Sequence, residues 1–546
     1  MKRCKILFVV CTAFCSLLPT ILYSQVDTAW VRKYNGTGSQ DDWSYDMVID
    51  PQGNIYVTGR SPAPNEYDDC VTVKYNTSGV LQWVTRYNGE ANLNDEGYCI
   101  VLDRQGNVYA AGYTTINDST TEYLTIKYNS NGETLWTRKY HGTNYGENSV
   151  GGLAVDSAGN VYVTGLSYDS GSNGDYATVK YNSSGVQQWV QRYNGPGNNW
   201  DGASSIAIDG AANVYVTGES DDSITNSDYA TIKYNTNGAQ QWVTRYNNEQ
   251  ANGGERASAI AIDGANNIYV TGHSDGPGTD YDFATIKYNS NGVEQWVARY
   301  NGPGNELDDA NAIAIDNQGN CYVTGTSTDT NHYFDYATIK YNANGDTVWV
   351  RRYDGPGHRD DRAWSIAVDN HGDVYITGDS YYSDDILEDY ATIKYSSDGV
   401  QRWVTRFDGE EASHDYAFKV ALDSFGNVYV TGATDDTAQY DYGTIKYVQW
   451  LGIEESIENC KLKIDNFSVY PNPAKTFFAI RLPQFAGQQI IKIFDVSGKL
   501  IKEIATSASQ SRNDVVAEKK ISLKGINPGI YFLKLGTEVK KFLVVK

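Results

Sequence analysis

Asp156-Ser-Ala-Gly-Asn-Val-Tyr-Val-Thr-Gly165 is one of eight versions of a single phrase in this chain of 546 residues. The tyrosine of the phrase recurs as Tyr56, Tyr109, Tyr162, Tyr215, Tyr269, Tyr322, Tyr375 and Tyr429, at intervals of 53 or 54 residues. A fixed period of this size marks a repeat architecture, in which each unit buries its apolar faces against its neighbours. Residues common to all eight units belong to the scaffold. Function is expected where the units differ.

One period holds four short runs rich in β-branched and aromatic residues, the composition of half-buried strands. In the unit 203–256 they are Ala203–Ile208, Asn213–Thr217, Tyr229–Tyr234 and Gln240–Tyr246, here strands A to D. A joins B through Asp-x-x-Gly-Asn, and C joins D through Asn-x-x-Gly, as in Asn182-Ser-Ser-Gly185. Both place Asp or Asn first and Gly where positive φ is needed, the chemistry of tight hairpins. No helical period is visible in the repeats. Four-stranded antiparallel units repeated in this way read as β-propeller blades, an all-β fold. Ala154, Ala207, Ala261, Ala314, Ala367 and Ala421 put small side chains on strand A, which suits an inner strand lining the central channel. The in-register tryptophans, Trp30, Trp83, Trp136, Trp189, Trp242, Trp296, Trp349 and Trp403, follow the repeat, so packing between blades is their expected role.

Strands A, B and C each occur eight times, but the Asn-x-x-Gly type of C–D turn occurs only seven times, ending with Ser396-Ser-Asp-Gly399. The missing strand D stands at the other end, as Thr28-Ala-Trp-Val-Arg-Lys-Tyr34. An N-terminal strand completing the last blade closes the ring and hides two sheet edges. Eight blades follow. The Ile-Ala-Val-Asp…Gly-Asn-Val-Tyr-Val-Thr-Gly core resembles the bacterial SBBP-type β-propeller repeat over residues 26–450. That family is named for a seven-bladed ring, and the count in this chain departs from it.

Lys2, Arg3 and Lys5 precede an apolar run from Ile6 to Leu22, so residues 1–24 read as a secretory signal peptide. The four remaining cysteines, Cys70, Cys99, Cys321 and Cys460, occupy unrelated repeat positions and show no disulfide or zinc spacing. After a linker at 451–464 the composition changes. Residues 460–546 hold fifteen of the 44 basic residues and six of the 67 acidic ones. The whole-chain net charge of −23 therefore comes from the repeats. Residues 465–546 have the alternation of a small β-sandwich, in runs such as Phe477–Leu482, Ile490–Phe494 and Ile530–Leu535. Val469-Tyr-Pro-Asn-Pro473, Phe494-Asp-Val-Ser-Gly-Lys499, Asn527-Pro-Gly-Ile-Tyr531 and the terminal Lys-Phe-Leu-Val-Val-Lys546 resemble, in order, the C-terminal sorting domain of type IX secretion cargo. The resemblance implies recognition by the type IX machinery, export across the outer membrane, and a protein that is secreted or held at the cell surface. No other stretch is apolar enough to span a membrane.

The A–B and C–D turns share one face of the ring and are short and nearly invariant. The B–C and D–A loops share the other and vary. Variable loops on a rigid scaffold are where binding usually resides. Acidic pairs crowd that face: Asp41-Asp42, Asp221-Asp222, Asp308-Asp309, Asp360-Asp361, Asp384-Asp385 and Asp435-Asp436. They are weak calcium candidates, above all Asp41, Asp42, Asp308, Asp309, Asp360 and Asp361, since no loop has the full Asp-x-Asp-x-Asp-Gly run. No cofactor is otherwise called for. The acidic balance argues against nucleic acid. Trp43, Trp200 and Trp364 leave the repeat frame in D–A loops, and Tyr381 and Tyr382 lie in a B–C loop. Either these rings stack on sugars or they are buried under neighbouring loops. Six scattered histidines and no nucleophile or phosphate motif give no enzyme signature. The sequence thus points to a surface binding or adhesion scaffold for a glycan or protein ligand. A polysaccharide-active propeller or a purely structural surface protein are the alternatives.

Overall fold

The computed structural model describes residues 25–450 apart from 39, 64–66, 144–145, 170–172, 223–226, 249, 252, 383–386, 410–413 and 436–438, and the strands between 468 and 544. The expected signal peptide and linker, and Asp384, Asp385 and Asp436, lie outside the described residues. Val26–Gln449 forms one compact unit. It consists of eight four-stranded sheets and, among the described residues, no helix. In blade 4 the strands are Asp201–Ile208, Val214–Asp221, Ser227–Tyr234 and Gln240–Tyr246. They pair antiparallel in the order A, B, C, D, with Ile206 opposite Val216 and Ile232 opposite Val243. In the last blade, strands Asp415–Leu422, Val428–Asp435 and Tyr440–Trp450 are completed by Gln25–Tyr34, as the count of elements requires. The C-terminal strands belong to a second unit. They form one sheet of three strands and one of four.

The repeated residues account for the joints between blades. Trp189 on strand D of blade 3 donates Nε1–H to the Thr236 carbonyl in the C–D turn of blade 4, at 3.2 Å. Lys180 donates to the same carbonyl at 2.9 Å and holds its ammonium 5.1 Å from the centre of the Tyr162 ring. The indole lies 6.0 Å from Tyr162 and 6.2 Å from Tyr234 of the next blade. Gly238 leaves room for it, because a Cβ there would stand 2.9 Å from the indole. The same tryptophan-to-turn bond recurs from Trp83, Trp136, Trp242, Trp296 and Trp349. Blade 8 has no C–D turn, and a side chain replaces the lost carbonyl. Gln449 Oε1 accepts from Trp403 Nε1 at 3.3 Å and Lys394 Nζ at 2.9 Å. Gln449→Leu leaves Trp403 Nε1 without its acceptor and Lys394 with Asp373 alone, at 2.9 Å. Chemical denaturation should show a loss of about 1–3 kcal/mol.

The A–B turn is an aspartate-centred hairpin. Asp156 Oδ1 accepts from the amides of Ala158 and Asn160, and Oδ2 accepts the Tyr162 hydroxyl at 3.0 Å. Glycine normally takes the left-handed position, as Gly159 does at φ 79°. Blade 4 breaks the pattern: its sequence is Asp209-Gly-Ala-Ala-Asn213, and Ala212 sits at φ 60°. An alanine in that region costs on the order of 1 kcal/mol. Ala212→Gly is therefore expected to raise the stability by about that amount, read as a higher denaturation midpoint.

A third repeated position opens strand A with a buried polar side chain: Asp42, Asp95, Asn148, Asp201, Glu255, Asp308, Asp361 and Asp415 are all 1% exposed or less. In six of the eight, one carboxylate oxygen accepts the amide of a D–A loop glycine, for example Gly195 to Asp201 at 2.8 Å. Burial pushes Asp42, Asp95, Asp201, Asp308 and Asp415 up to about 6, Asp361 to about 7 and Glu255 to about 8. Asn148, the eighth member, is the permanently neutral version of the same side chain.

Candidate functional site

Strand A bulges at the same place in every blade. In blade 7, Ala363 faces Gly378 and Ser365 faces Thr377, so Trp364 has no partner on strand B. The corresponding unpaired residues are Tyr45, Tyr98, Gly151, Ser204, Ser258, Asn311 and Phe418. A bulge re-aims a side chain and ends regular pairing along the edge. Here the edge is the wall of the central channel. A cavity of about 340 Å³ in the channel is lined by Tyr45, Tyr98, Asn311, Trp364 and Phe418 with the residues that follow them. The four aromatic members stand on blades 7, 8, 1 and 2, which are consecutive once the ring is closed.

The rings form a belt that continues toward the loop face. Tyr45 lies 5.2 Å from Tyr98 and 5.9 Å from Phe418. Tyr98 lies 5.8 Å from Tyr113. Trp43 stacks on Tyr416 at 5.7 Å and on Phe418 at 5.8 Å, and meets Tyr440 at 5.1 Å. Trp364 keeps 38% of its surface exposed, and its Nε1–H donates to Asp379.

Around the belt, strands A, B and C carry charged pairs that also change from blade to blade. Arg60 is held by Asp68 at 2.5 Å and lies 3.9 Å from Glu96. Glu96 accepts the hydroxyls of Tyr113 at 2.8 Å and Tyr45 at 3.4 Å. Arg362 reaches Asp360 at 2.8 Å, Glu388 at 3.3 Å and Asp379 at 3.6 Å. His414 Nδ1 lies 3.1 Å from Glu388. Burial pushes Asp379 up to about 7. Lys419, the residue after Phe418, pairs with Asp46, the residue after Tyr45, at 3.1 Å. The Asp46 carboxylate holds the Lys419 ammonium pKa above its usual value. On the far side of the channel, Arg256 lies 3.6 Å from Glu219 and His273 lies 3.0 Å from Asp309.

The residues singled out in the sequence are distributed differently from expectation. Trp43 opens strand Trp43–Ile49, and Trp364 is inside strand Asp361–Val368, so both are strand residues of the channel wall. Trp364 is the bulge residue of its blade, while Trp43 pairs with Arg60 two positions before the bulge. Trp200 does precede its strand A, in blade 4, where a Cβ on Gly202 would meet its ring at 2.8 Å; it is not part of the belt. Tyr381 ends strand B of blade 7, opposite Glu388. Tyr382 is in the loop, 60% exposed, with the Arg406 guanidinium 5.5 Å from its ring centre. Of the acidic pairs, Asp42, Asp308 and Asp361 are the buried strand-A residues described above. Asp41 and Asp360 instead accept the backbone amides of Tyr440 and Phe334, both at 3.1 Å.

Two carboxylate triads do converge. Asp335, Asp354 and Asp361, and likewise Asp389, Asp408 and Asp415, have oxygens within 4.8 Å of one another. In blades 4 and 5 the middle position is Asn247, whose Nδ2 donates to Asp228 at 2.9 Å. Asp354→Asn and Asp408→Asn restore that donor and remove a like charge. Each is expected to stabilise the protein in chelator by roughly 0.5–1 kcal/mol, read as a higher melting temperature. If the triads hold calcium, the same changes lower it in millimolar calcium instead.

This is an eight-bladed repeat propeller with one chemically distinct sector in its channel. Residues 29–63, 82–118, 241–279, 295–333 and 403–437 match the SBBP beta-propeller repeat, and residues 468–546 match the secretion system C-terminal sorting domain. The chain thus carries both the repeats and the type IX sorting domain that its motifs resemble, a domain that directs export to the cell surface or beyond. An uncharacterized WD repeat-containing protein of Acanthamoeba polyphaga mimivirus is 24% identical over 401 residues, covering 61% of this chain; the chain spans 24% of that relative's length. Among solved structures it is similar to an ulvan lyase of a polysaccharide lyase family (12% identity, TM-score 0.40, covering 76% of this chain and 95% of that one). It is also similar to a puromycin hydrolase mutant (10% identity, TM-score 0.41, covering 74% and 60%). No described helix is long and apolar enough to cross a membrane.

Proposed function

We propose that the protein is a surface-displayed binding scaffold whose ligand enters the loop-side mouth of the channel and rests on Trp364, Phe418, Tyr45 and Tyr98. The observation that carries this reading is the distribution of side chains at one position. The bulge residue is aromatic in four consecutive blades and Gly151, Ser204, Ser258 or Asn311 in the others. A position that served only the ring would repeat with it. Aromatic rings clustered in a cavity with a few fixed polar groups are the usual makings of a ligand site. The B–C and D–A loops form its approach.

A second reading, cleavage of a polysaccharide, draws on Arg362, Asp379, Glu388 and His414, a titratable cluster of the kind found in active sites. One experiment addresses both. The exported protein is applied to arrays of bacterial and algal surface polysaccharides and to a surface-protein array, with release of soluble fragments monitored. Saturable binding, weakened at least tenfold by Phe418→Ala and unaffected by Leu135→Ala on an exposed outer strand, is the expected result. Binding that survives loss of the belt overturns the site, and steady release of fragments favours the enzyme.

A further inference from the structure

The same belt also restricts what kind of ligand it can take, and this inference rests on the reading above. We propose that the ligand is a neutral glycan, and that chains bearing uronate or sulfate groups are excluded.

The rings supply flat, electron-rich faces, which suit the C–H faces of pyranose rings. Beside them the polar groups of strands A, B and C are mainly acceptors. Glu96 and Glu388 are buried beside the rings, 7% and 4% exposed, where they accept from Tyr113, Tyr45 and Arg362, and carboxyl oxygens can accept from more than one donor. Sugar hydroxyls are such donors. The basic side chains that reach this sector are already committed. Arg60 is held by Asp68 and Glu96, Arg362 by Asp360, Glu388 and Asp379, and Lys419 by Asp46. An anionic sugar seated on the belt would compete with the carboxylates that already pair these cations. It would also approach against the field of a repeat region that carries the chain's net negative charge.

A peptide ligand fits less well. An extended peptide binds by adding a strand to a sheet edge. The inner edge of each blade is strand A, and its bulge interrupts the edge at the level of the belt. The remaining half of the wall, with Gly151, Ser204 and Ser258, provides space rather than contacts. The cavity of about 340 Å³ is at the small end of ligand sites, which suits the terminal part of a glycan chain.

The test uses calorimetry on the exported full-length protein with neutral hexaoses of glucose, xylose, mannose and N-acetylglucosamine, and with oligogalacturonate and a sulfated galactan fragment. At least one neutral hexaose is expected to bind. Its affinity should fall tenfold or more in Trp364→Ala and in Tyr98→Ala, with melting temperatures confirming that both variants fold. Tighter binding of either acidic probe, or no binding across the panel, overturns the proposal. So does neutral binding that both variants retain. If the arrays instead return a protein or other non-glycan ligand that Phe418→Ala abolishes, the belt remains the binding site and only the neutral-glycan assignment fails.

Discussion

A variant lacking residues 25–34 is expected to melt at least 10 °C below the parent, by order of magnitude, and to lose a single sharp transition. The strand supplies the fourth member of blade 8 and the joint to blade 1. Its Trp30 donates to the Thr77 carbonyl at 3.3 Å, and Arg32 Nε donates to the Gly79 carbonyl at 2.5 Å. The Trp30 ring lies 6.4 Å from Tyr75 of blade 1 and 6.1 Å from Tyr429 of blade 8, and Tyr34 lies 5.4 Å from Tyr442. Loss of a packed tryptophan alone costs about 3 kcal/mol or more. Here a whole strand is lost with it, and Tyr440–Trp450 becomes an open edge. A synthetic peptide of residues 25–34 added in excess should recover part of the lost stability by mass action. Scanning calorimetry showing an unchanged transition in the truncated protein would mean that the ring is held shut some other way.

The second large effect is a gain in stability on mild acidification. Asp42, Asp95, Asp201, Asp308, Asp361, Asp415 and Glu255 have folded pKa values of about 6 to 8, well above the ordinary carboxyl range near 4. The folded state therefore holds more protons than the unfolded state between pH 4 and 8. Stability contributed by these groups is complete below about pH 4 and is lost as pH rises through 6 to 8. The turn aspartates work in the opposite direction. Burial raises Asp156, Asp209 and Asp263, but hydrogen bonds from their own turns outweigh it and leave each below its ordinary value. Their contribution is present above about pH 4 and fades below it. The melting temperature should peak near pH 5 and exceed its pH 8 value by something on the order of 5 °C, at about 1.4 kcal/mol per group for each unit of pKa shift. Glu255→Gln makes the case at one site, because it should raise the melting temperature at pH 9 and leave it nearly unchanged at pH 5. A melting temperature that climbs steadily from pH 5 to pH 8 would show that these carboxyls fold ionised.

The ring was legible because its signals are local and repeated. The Tyr56-to-Tyr429 period, the turn glycines and the displaced Trp30 each report on covalent order. The receptor of each tryptophan was not legible, since the Thr236 carbonyl that accepts from Trp189 belongs to another blade and to a backbone atom common to every residue. In the sequence, Asp42, Asp308 and Asp361 stand only as members of loop-face acidic pairs and as weak calcium candidates. Only one member of each pair turns inward, toward a glycine amide that the sequence does not mark. Trp43 and Trp364 were noticed as departures from the frame, but Tyr45, Tyr98 and Phe418 were not. Tyr45, Tyr98, Trp364 and Phe418 each lie eleven positions before a strand tyrosine, as Trp364 does before Tyr375. Comparing that single column across the eight units would have exposed the sector. The bulge that aims these side chains into the channel is a backbone event and leaves no residue signature of its own.

Because blade 8 is assembled from both ends of the repeat region, the place where the chain breaks is a matter of covalent history and not of architecture. The tryptophan-to-turn bond is the same at the Trp30–Thr77 joint as at Trp189–Thr236. A circular permutant joined from 450 to 25 by a short linker and opened instead in the Asn182–Val186 turn would retain every blade and the whole belt. Its termini would then fall in blade 3, in the sector of Gly151, away from the aromatic half of the channel.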